Sequence, residues 1–196
     1  VFSWCVLICT SGINIIILIV FFSLAIILLT YLIIYVPKFD YIQGRMLSFF
    51  DRETGTHNFQ SDKAIDSITS GGFFGKGIGE GILKNRVPEA HTDYIISVIS
   101  EEFGVVAIML ILLLFLIFIY MVFKKISFET DDKTKLILIG SISLILMQAT
   151  IHIGVNIRLF PTTGMTLPFL SYGGSSIIST SILAGIILNL TKRKIN

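Results

Sequence analysis

The sequence predicts an all-α fold: a polytopic membrane helix bundle with a large extracytoplasmic loop that contains short amphipathic helices. Three observations predict it. Of the 196 residues 54% are hydrophobic and 14% charged, with 16 Phe, a balance outside the range of soluble globular domains. Apolar stretches at 13–36, 104–123 and 136–156 each approach the roughly 20 residues a helix needs to cross a bilayer, and a fourth at 174–190 is shorter and richer in Ser and Gly. Between the first two lies a mixed polar segment, 37–103, with no run able to cross. Structureless connections beyond about 15 residues are uncommon, so this segment is expected to be built for a purpose.

In chain order, the opening "VFSWCVLICTSG" is too short to span and begins with Val, so a preceding portion with at least one more helix is expected. Residues 1–36 then hold a partial helix and one complete one, and 1–196 is the C-terminal part of one membrane domain. No basic flank or small-residue cleavage site marks a signal peptide. Cys5 and Cys9 lie in apolar sequence without His or acidic neighbours and read as packing cysteines, since a zinc site needs about four ligands. Lys124, Lys125, Lys133 and Lys135 bracket the turn after the second long span, and Lys192, Arg193 and Lys194 close the chain. The positive-inside rule puts both in the cytoplasm, which leaves 37–103 and 157–173 outside. Seven Lys or Arg in 37–103 do not oppose this, because long loops are translocated largely regardless of charge. A net charge of +2 points to neither nucleic acid nor a polyanionic substrate.

Within the outer loop, "YIQGRMLSFFD" has roughly helical spacing, and "SDKAIDSI" is expected to start a helix with Ser61 as its cap. "GGFFGKGIGEG", 71–81, is glycine-rich enough to approach an anion, yet it fits no phosphate-loop register: Ser70 and Gly77 stand where Gly and Ser/Thr are required. It reads as a turn set, or as backbone that comes close to a head group with Lys76, Lys84 and Arg86 as countercharges.

"VPEAHTDYIISVISEEFG", 87–104, concentrates ionisable residues at the mouth of the next span. Pro88 and Glu89 suit a helix start. Continued as helix, Asp93, Ser97 and Glu101 form one polar stripe, a solvated face unless neighbouring apolar rings strip water from a carboxylate and raise its pKa towards that of a general base. In the following span Gln148, His152 and Asn156 recur at i, i+4 and i+8, a seam for interhelical hydrogen bonds or for lining a cavity. Ser176, Thr180 and Ala184 make a small-residue ridge for close packing. Between them "RLFPTTGMTLPFLSYGGSS" is a candidate re-entrant wall, since irregular backbone at membrane depth needs protein or water cover.

"VPEAHTDYIISVISEEFG", "FPTTGMTLPFLSYGGSS" and "FQSDKAIDSITSGGFFGKGIGEGILKN" together resemble the SEDS family of bacterial peptidoglycan glycosyltransferases, relatives of RodA and FtsW; "GMTLPF" and "NFQSDKAI" are closer to the cell-division FtsW branch. The resemblance implies polymerisation of lipid II on the outer face of the bacterial cytoplasmic membrane by a multi-pass protein. It implies Asp93 as the catalytic general base for the acceptor sugar's 4-hydroxyl. Substrate contacts are expected among Gln60, Lys84, Arg86, Glu89, His91, Thr92, Thr162, Thr163, Ser171 and Tyr172, with Lys84, Arg86 or Arg158 screening the pyrophosphate. It names no cofactor or metal and leaves a divalent-cation requirement open. A class B penicillin-binding transpeptidase and other cell-division proteins are the implied partners. Arg158 departs from the small residue many members carry there, and the family has more spans than this chain, so an isolated chain is not expected to complete the cavity. A flippase for the lipid-linked precursor and a non-catalytic assembly component are the competing readings.

Overall fold

The computed structural model describes residues 6–8, 10, 15–36, 40, 44, 56–82 and 90–192, and their regular structure is helical throughout. Among the described residues five helices have defined bounds: α1, Ile15–Tyr35; α2, Thr56–Gly71; α3, Ile95–Phe128; α4, Asp132–Asn156; and α5, Gly174–Thr191. Of these α3, α4 and α5 are long and apolar enough to cross a membrane, and α1 is apolar along its 21 residues. "YIQGRMLSFFD" falls outside the described residues except for Gly44.

Helices α3 and α4 are joined by a turn of three residues, and Asp131 stops and restarts the chain there. Its Oδ2 accepts the Thr134 backbone N–H at 3.0 Å and the Thr134 hydroxyl at 2.6 Å, which satisfies a first-turn donor of α4. Those hydrogen bonds hold the exposed Asp131 carboxyl below the usual carboxylate range. Ser61 does not cap α2: the helix begins at Thr56, and Ser61 is buried inside it with its Oγ 3.4 Å from the Tyr94 hydroxyl. A serine with a tertiary partner is not free to act as a local cap.

Two kinds of core hold the helices. Val122, Leu138, Ile142, Ile145 and Ile187 join α3, α4 and α5; lipid tails are as apolar as these residues, so close packing rather than escape from water drives that contact. At the end of the bundle where α3 begins and α4 ends, Ala64, Ala90, Tyr94, Val98 and Val155 gather α2 onto α3 and α4. Here water is the competitor, and burying a large apolar side chain contributes about 1.5–3 kcal/mol.

Helix α3 is interrupted at Gly104, whose φ of 76° and ψ of −177° are not helical. The break removes two ordinary helical bonds, from Val105 N to Glu101 O and from Val106 N to Glu102 O. The glycine-rich segment replaces both. Val105 N donates to Gly72 O (3.0 Å) and Val106 N to Phe73 O (3.4 Å), while Lys76 N and Gly77 N donate to the released Glu101 and Glu102 carbonyls at 2.9 and 3.1 Å. Glycine is required because backbone meets backbone: a Cβ on Gly104 would collide with Phe73 O, one on Gly75 with Glu102 O, and one on Gly71 with Ser100 O. "GGFFGKG" is therefore a splint for a broken helix, and its amides at Lys76 and Gly77 are turned to protein carbonyls.

Candidate functional site

The chain does not carry Asp93 on a helix. Residues 90–94 form turns, Tyr94 is the N-terminal boundary of α3, and Asp93 precedes it, so the Asp93–Ser97–Glu101 stripe expected from helical spacing is absent as a solvated face. Ser97 and Glu101 are both buried. Glu101 is 2% exposed; its Oε1 receives the Lys76 ammonium at 2.9 Å and the Ile82 backbone N–H at 3.0 Å, and the Ser67 hydroxyl lies 3.5 Å from Oε2. It ties α2, the glycine segment and α3 together. Burial of this charge is tolerable because it is paired and hydrogen-bonded.

Asp93 is fixed by its neighbours in sequence and by Asn156. Tyr94 is the largest side chain in the outer core, and burial pushes its phenol pKa up, with the Ser61 hydrogen bond working against this and the Asp93 charge reinforcing it. Asn156, fully buried at the end of α4, donates from Nδ2 to Asp93 O (3.0 Å) and His152 O (2.9 Å). Its Oδ1 accepts from Ser97 N (3.3 Å) and Ser97 Oγ (2.8 Å). Because Tyr94 supplies no side-chain cap to α3, Asn156 caps that helix from across the interface.

The rest of the polar seam holds the 157–173 loop against α4. His152 Nδ1 is 2.8 Å from Met165 O, and since a carbonyl only accepts, the proton sits on Nδ1. Gln148 Nε2 reaches Thr166 O (3.0 Å), Thr166 Oγ1 (3.2 Å) and Ser176 Oγ (2.9 Å). The 157–173 loop is joined to the segment before α3 by Tyr172 N donating to His91 O at 3.1 Å. Asp93 is half-buried between them: a methyl on Gly164, which has a φ of 69°, would stand 3.7 Å from Asp93 Oδ2.

The structure thus brings His91, Thr92 and Asp93 to the loop that carries Thr162, Thr163 and Tyr172. His91, Thr163 and Tyr172 are exposed, and Thr92 and Thr162 half-buried. Ser171 is buried, and its Oγ accepts Leu167 N at 2.7 Å, so it shapes the turn rather than facing solvent. Gln60 is half-buried on α2, next to the Ser61 that meets Tyr94. Lys84, Arg86 and Glu89 lie outside the described residues. Arg158 is engaged rather than waiting for an anion, because its guanidinium pairs with Asp62 of α2. It also holds a φ of 60° just past α4, the left-handed position where glycine is the ordinary choice. Sequence reasoning missed the structural roles of Asn156, Glu101 and Gly104; the seam spacing signalled Asn156 but not what it would meet.

These elements define an α-helical membrane protein in which the Asp93 carboxylate lies between two mutually tied loops at one end of the bundle. The whole chain, residues 1–196, matches the cell cycle protein family FtsW/RodA/SpoVE, and it belongs to that family. It is 37% identical over 158 residues to the probable peptidoglycan glycosyltransferase FtsW of Caulobacter vibrioides (strain NA1000 / CB15N), covering 80% of this chain and 40% of that protein. Against the probable peptidoglycan glycosyltransferase FtsW of Enterococcus hirae it is 34% identical over 181 residues, covering 87% and 46%. A solved chain from work on the structural coordination of polymerization and crosslinking by a peptidoglycan synthase complex superposes with a TM-score of 0.73 at 25% identity, over 100% of this chain and 55% of that one. The chain thus spans less than half the length of these two curated relatives.

Proposed function

We propose that this chain carries the outer catalytic face of a lipid II polymerase, with Asp93 as general base. The observation that carries the reading is the half-buried Asp93 carboxylate set against Gly164, its backbone held by Asn156. In the reaction one carboxylate oxygen takes the proton of the acceptor 4-hydroxyl as that oxygen bonds to the donor's anomeric carbon. The bond from that carbon to the lipid pyrophosphate breaks, the pyrophosphate leaves with the electron pair, and configuration inverts. A pyrophosphate needs little protonation to depart, so one carboxylate suffices where glycoside hydrolases use two. The names of the relatives, and the solved complex that joins polymerization to crosslinking, support this chemistry and a class B penicillin-binding transpeptidase as partner. The positively charged turn and C-terminus support placing these loops on the outer face of the cytoplasmic membrane.

The test uses the full-length protein with its partner and purified lipid II, comparing wild type with Asp93→Asn. Removal of a general base is expected to slow glycan-strand formation by about 10²–10⁴-fold. Polymerisation by the variant at the wild-type rate refutes the role of Asp93. Transfer of precursor across liposomes by wild type, with no glycan made, replaces the reading with transport.

A further inference from the structure

The glycine-rich splint leaves three large apolar side chains outside the fold: Phe73 is 74% exposed, Phe74 87% and Ile78 81%. Their depth follows from the hydrogen bonds that hold the segment. Gly72 and Phe73 accept from Val105 and Val106, whereas Lys76 and Gly77 donate to Glu101 and Glu102, nearer the outer end of α3. The segment therefore descends beside α3, turns at Phe74–Gly75 and climbs back, so that Phe73 and Phe74 occupy its deepest point.

That level is the start of the apolar stretch of α3, where Val106, Met109 and Leu110 are themselves exposed. One turn above it the chemistry reverses. The Lys76 ammonium and the Glu101 carboxylate pair there, and Glu80 is exposed. Apolar rings below and charges above form the vertical order of a bilayer interface, where Trp, Phe and Leu side chains of surface-lying segments reach the boundary between head groups and acyl chains. Two exposed phenylalanines on a segment pinned by four backbone bonds are a fixed feature of the surface, and in water they would be an unfavourable one.

We infer that the Phe73–Phe74 tip is inserted into the outer leaflet of the membrane at the boundary between head groups and acyl chains, as an interfacial anchor for the loop that precedes the Asp93 site. The partner is lipid, on the strength of the register with Val105 and Val106. The inference is independent of the glycosyltransferase reading, since it requires only that α3 spans a bilayer, with its N-terminal end on the outer side as the charge distribution supports.

The test is depth measurement in the full-length protein reconstituted in phosphatidylcholine–phosphatidylglycerol vesicles. Native cysteines, Cys5 and Cys9 included, are replaced by Ala, and a nitroxide is attached at Phe74→Cys, with Val106→Cys and Glu80→Cys as references. Phe74 is exposed, so the label disturbs no packing. Power saturation with oxygen and with a water-soluble nickel chelate is expected to place the Phe74 label with that at Val106, oxygen-accessible and nickel-shielded. Nickel accessibility equal to that at Glu80 overturns the inference. So does shielding from both reagents, in the protein alone or only with a partner subunit present, which assigns the tip to a protein contact. Independently, Phe74→Trp fluorescence is expected to fall with lipids brominated near the head of the acyl chain; emission unchanged by them also overturns it.

Discussion

Asn156 grips Ser97 twice, accepting its backbone N–H at 3.3 Å and its hydroxyl at 2.8 Å through one oxygen. The same side chain's amide nitrogen holds the Asp93 carbonyl. One residue at the end of α4 thereby sets both the start of α3 and the backbone of the proposed base.

Replacing Asn156 with Leu leaves the Ser97 donors and the Asp93 carbonyl without their partner in a buried place, a loss of about 1–3 kcal/mol for each unsatisfied group. Asn156→Asp keeps an acceptor for Ser97 but sets a second carboxylate oxygen, in a buried place, against the Asp93 and His152 carbonyls, which carries a desolvation cost of its own. The thermal unfolding temperature of the full-length protein and polymerisation are expected to fall in both variants. A variant with the wild-type midpoint disproves the role of Asn156.

Gly104→Ala forces a Cβ onto a backbone conformation, φ 76° and ψ −177°, that is essentially reserved for glycine, and sets it against Phe73 O. The conformational part alone costs about 1–3 kcal/mol, and the collision adds to it by pushing the splint away. Limited proteolysis is expected to cut within residues 71–82 of the variant and to spare the wild type. Equal protection in both would show that the splint tolerates a Cβ.

Lys76→Met takes the Lys76 ammonium away from the buried Glu101 carboxylate. Breaking a buried pair costs about 3–5 kcal/mol, but Lys76 is a third exposed, so solvent screening lowers the expected loss to about 1–2 kcal/mol. Restoring neutrality with Lys76→Met/Glu101→Gln is expected to recover part of it. A double variant less stable than Lys76→Met counts against the charge argument.

Arg158→Gly relieves the left-handed strain while losing the pair with Asp62, which is half exposed. Strain of about 1–2 kcal/mol outweighs or matches an exposed ion pair at about 0–1 kcal/mol. Stability is expected to hold or rise for Arg158→Gly and to fall for Arg158→Ala, which loses the pair and keeps the strain. Denaturation midpoints of the two variants check the sign.

The turn between α3 and α4 is expected to loosen in acid. The folded Asp131 carboxyl titrates lower than in the unfolded chain because Thr134 donates to it, and Glu129 is lowered chiefly by Lys125. For groups lowered on folding, the stabilisation is fully present above the ordinary carboxylate range and is lost as pH falls through the folded value. Hydrogen exchange at the first turn of α4, corrected for intrinsic rates, is expected to be steady from neutral to mildly acidic pH and to accelerate below the carboxylate range. Asp131→Ala is expected to exchange fast at every pH.

Much of this architecture was legible because its signals are local. Apolar length marked α3, α4 and α5, and the i, i+4, i+8 spacing exposed the seam of Gln148, His152 and Asn156. What was not legible depends on pairs far apart in sequence. Nothing near Ser61 announces that it meets Tyr94, and nothing in "GGFFGKG" says that its amides serve the carbonyls of Glu101 and Glu102. The helical extension through Asp93 failed for the same reason: the cap for α3 comes from Asn156 on another helix, so the chain needs no helical turn before Tyr94. Arg158 looked like a free cation because its partner, Asp62, is 96 residues away.

The break at Gly104 also bears on how the protein is assembled. Four backbone groups near the N-terminal end of α3 find hydrogen-bond partners in a segment made earlier in the chain. Left open at the edge of hydrocarbon, such groups are costly. Helix α3 therefore reaches its final form only once residues 71–77, made just before it and held on the same side of the bilayer as its N-terminal end, have docked against the break.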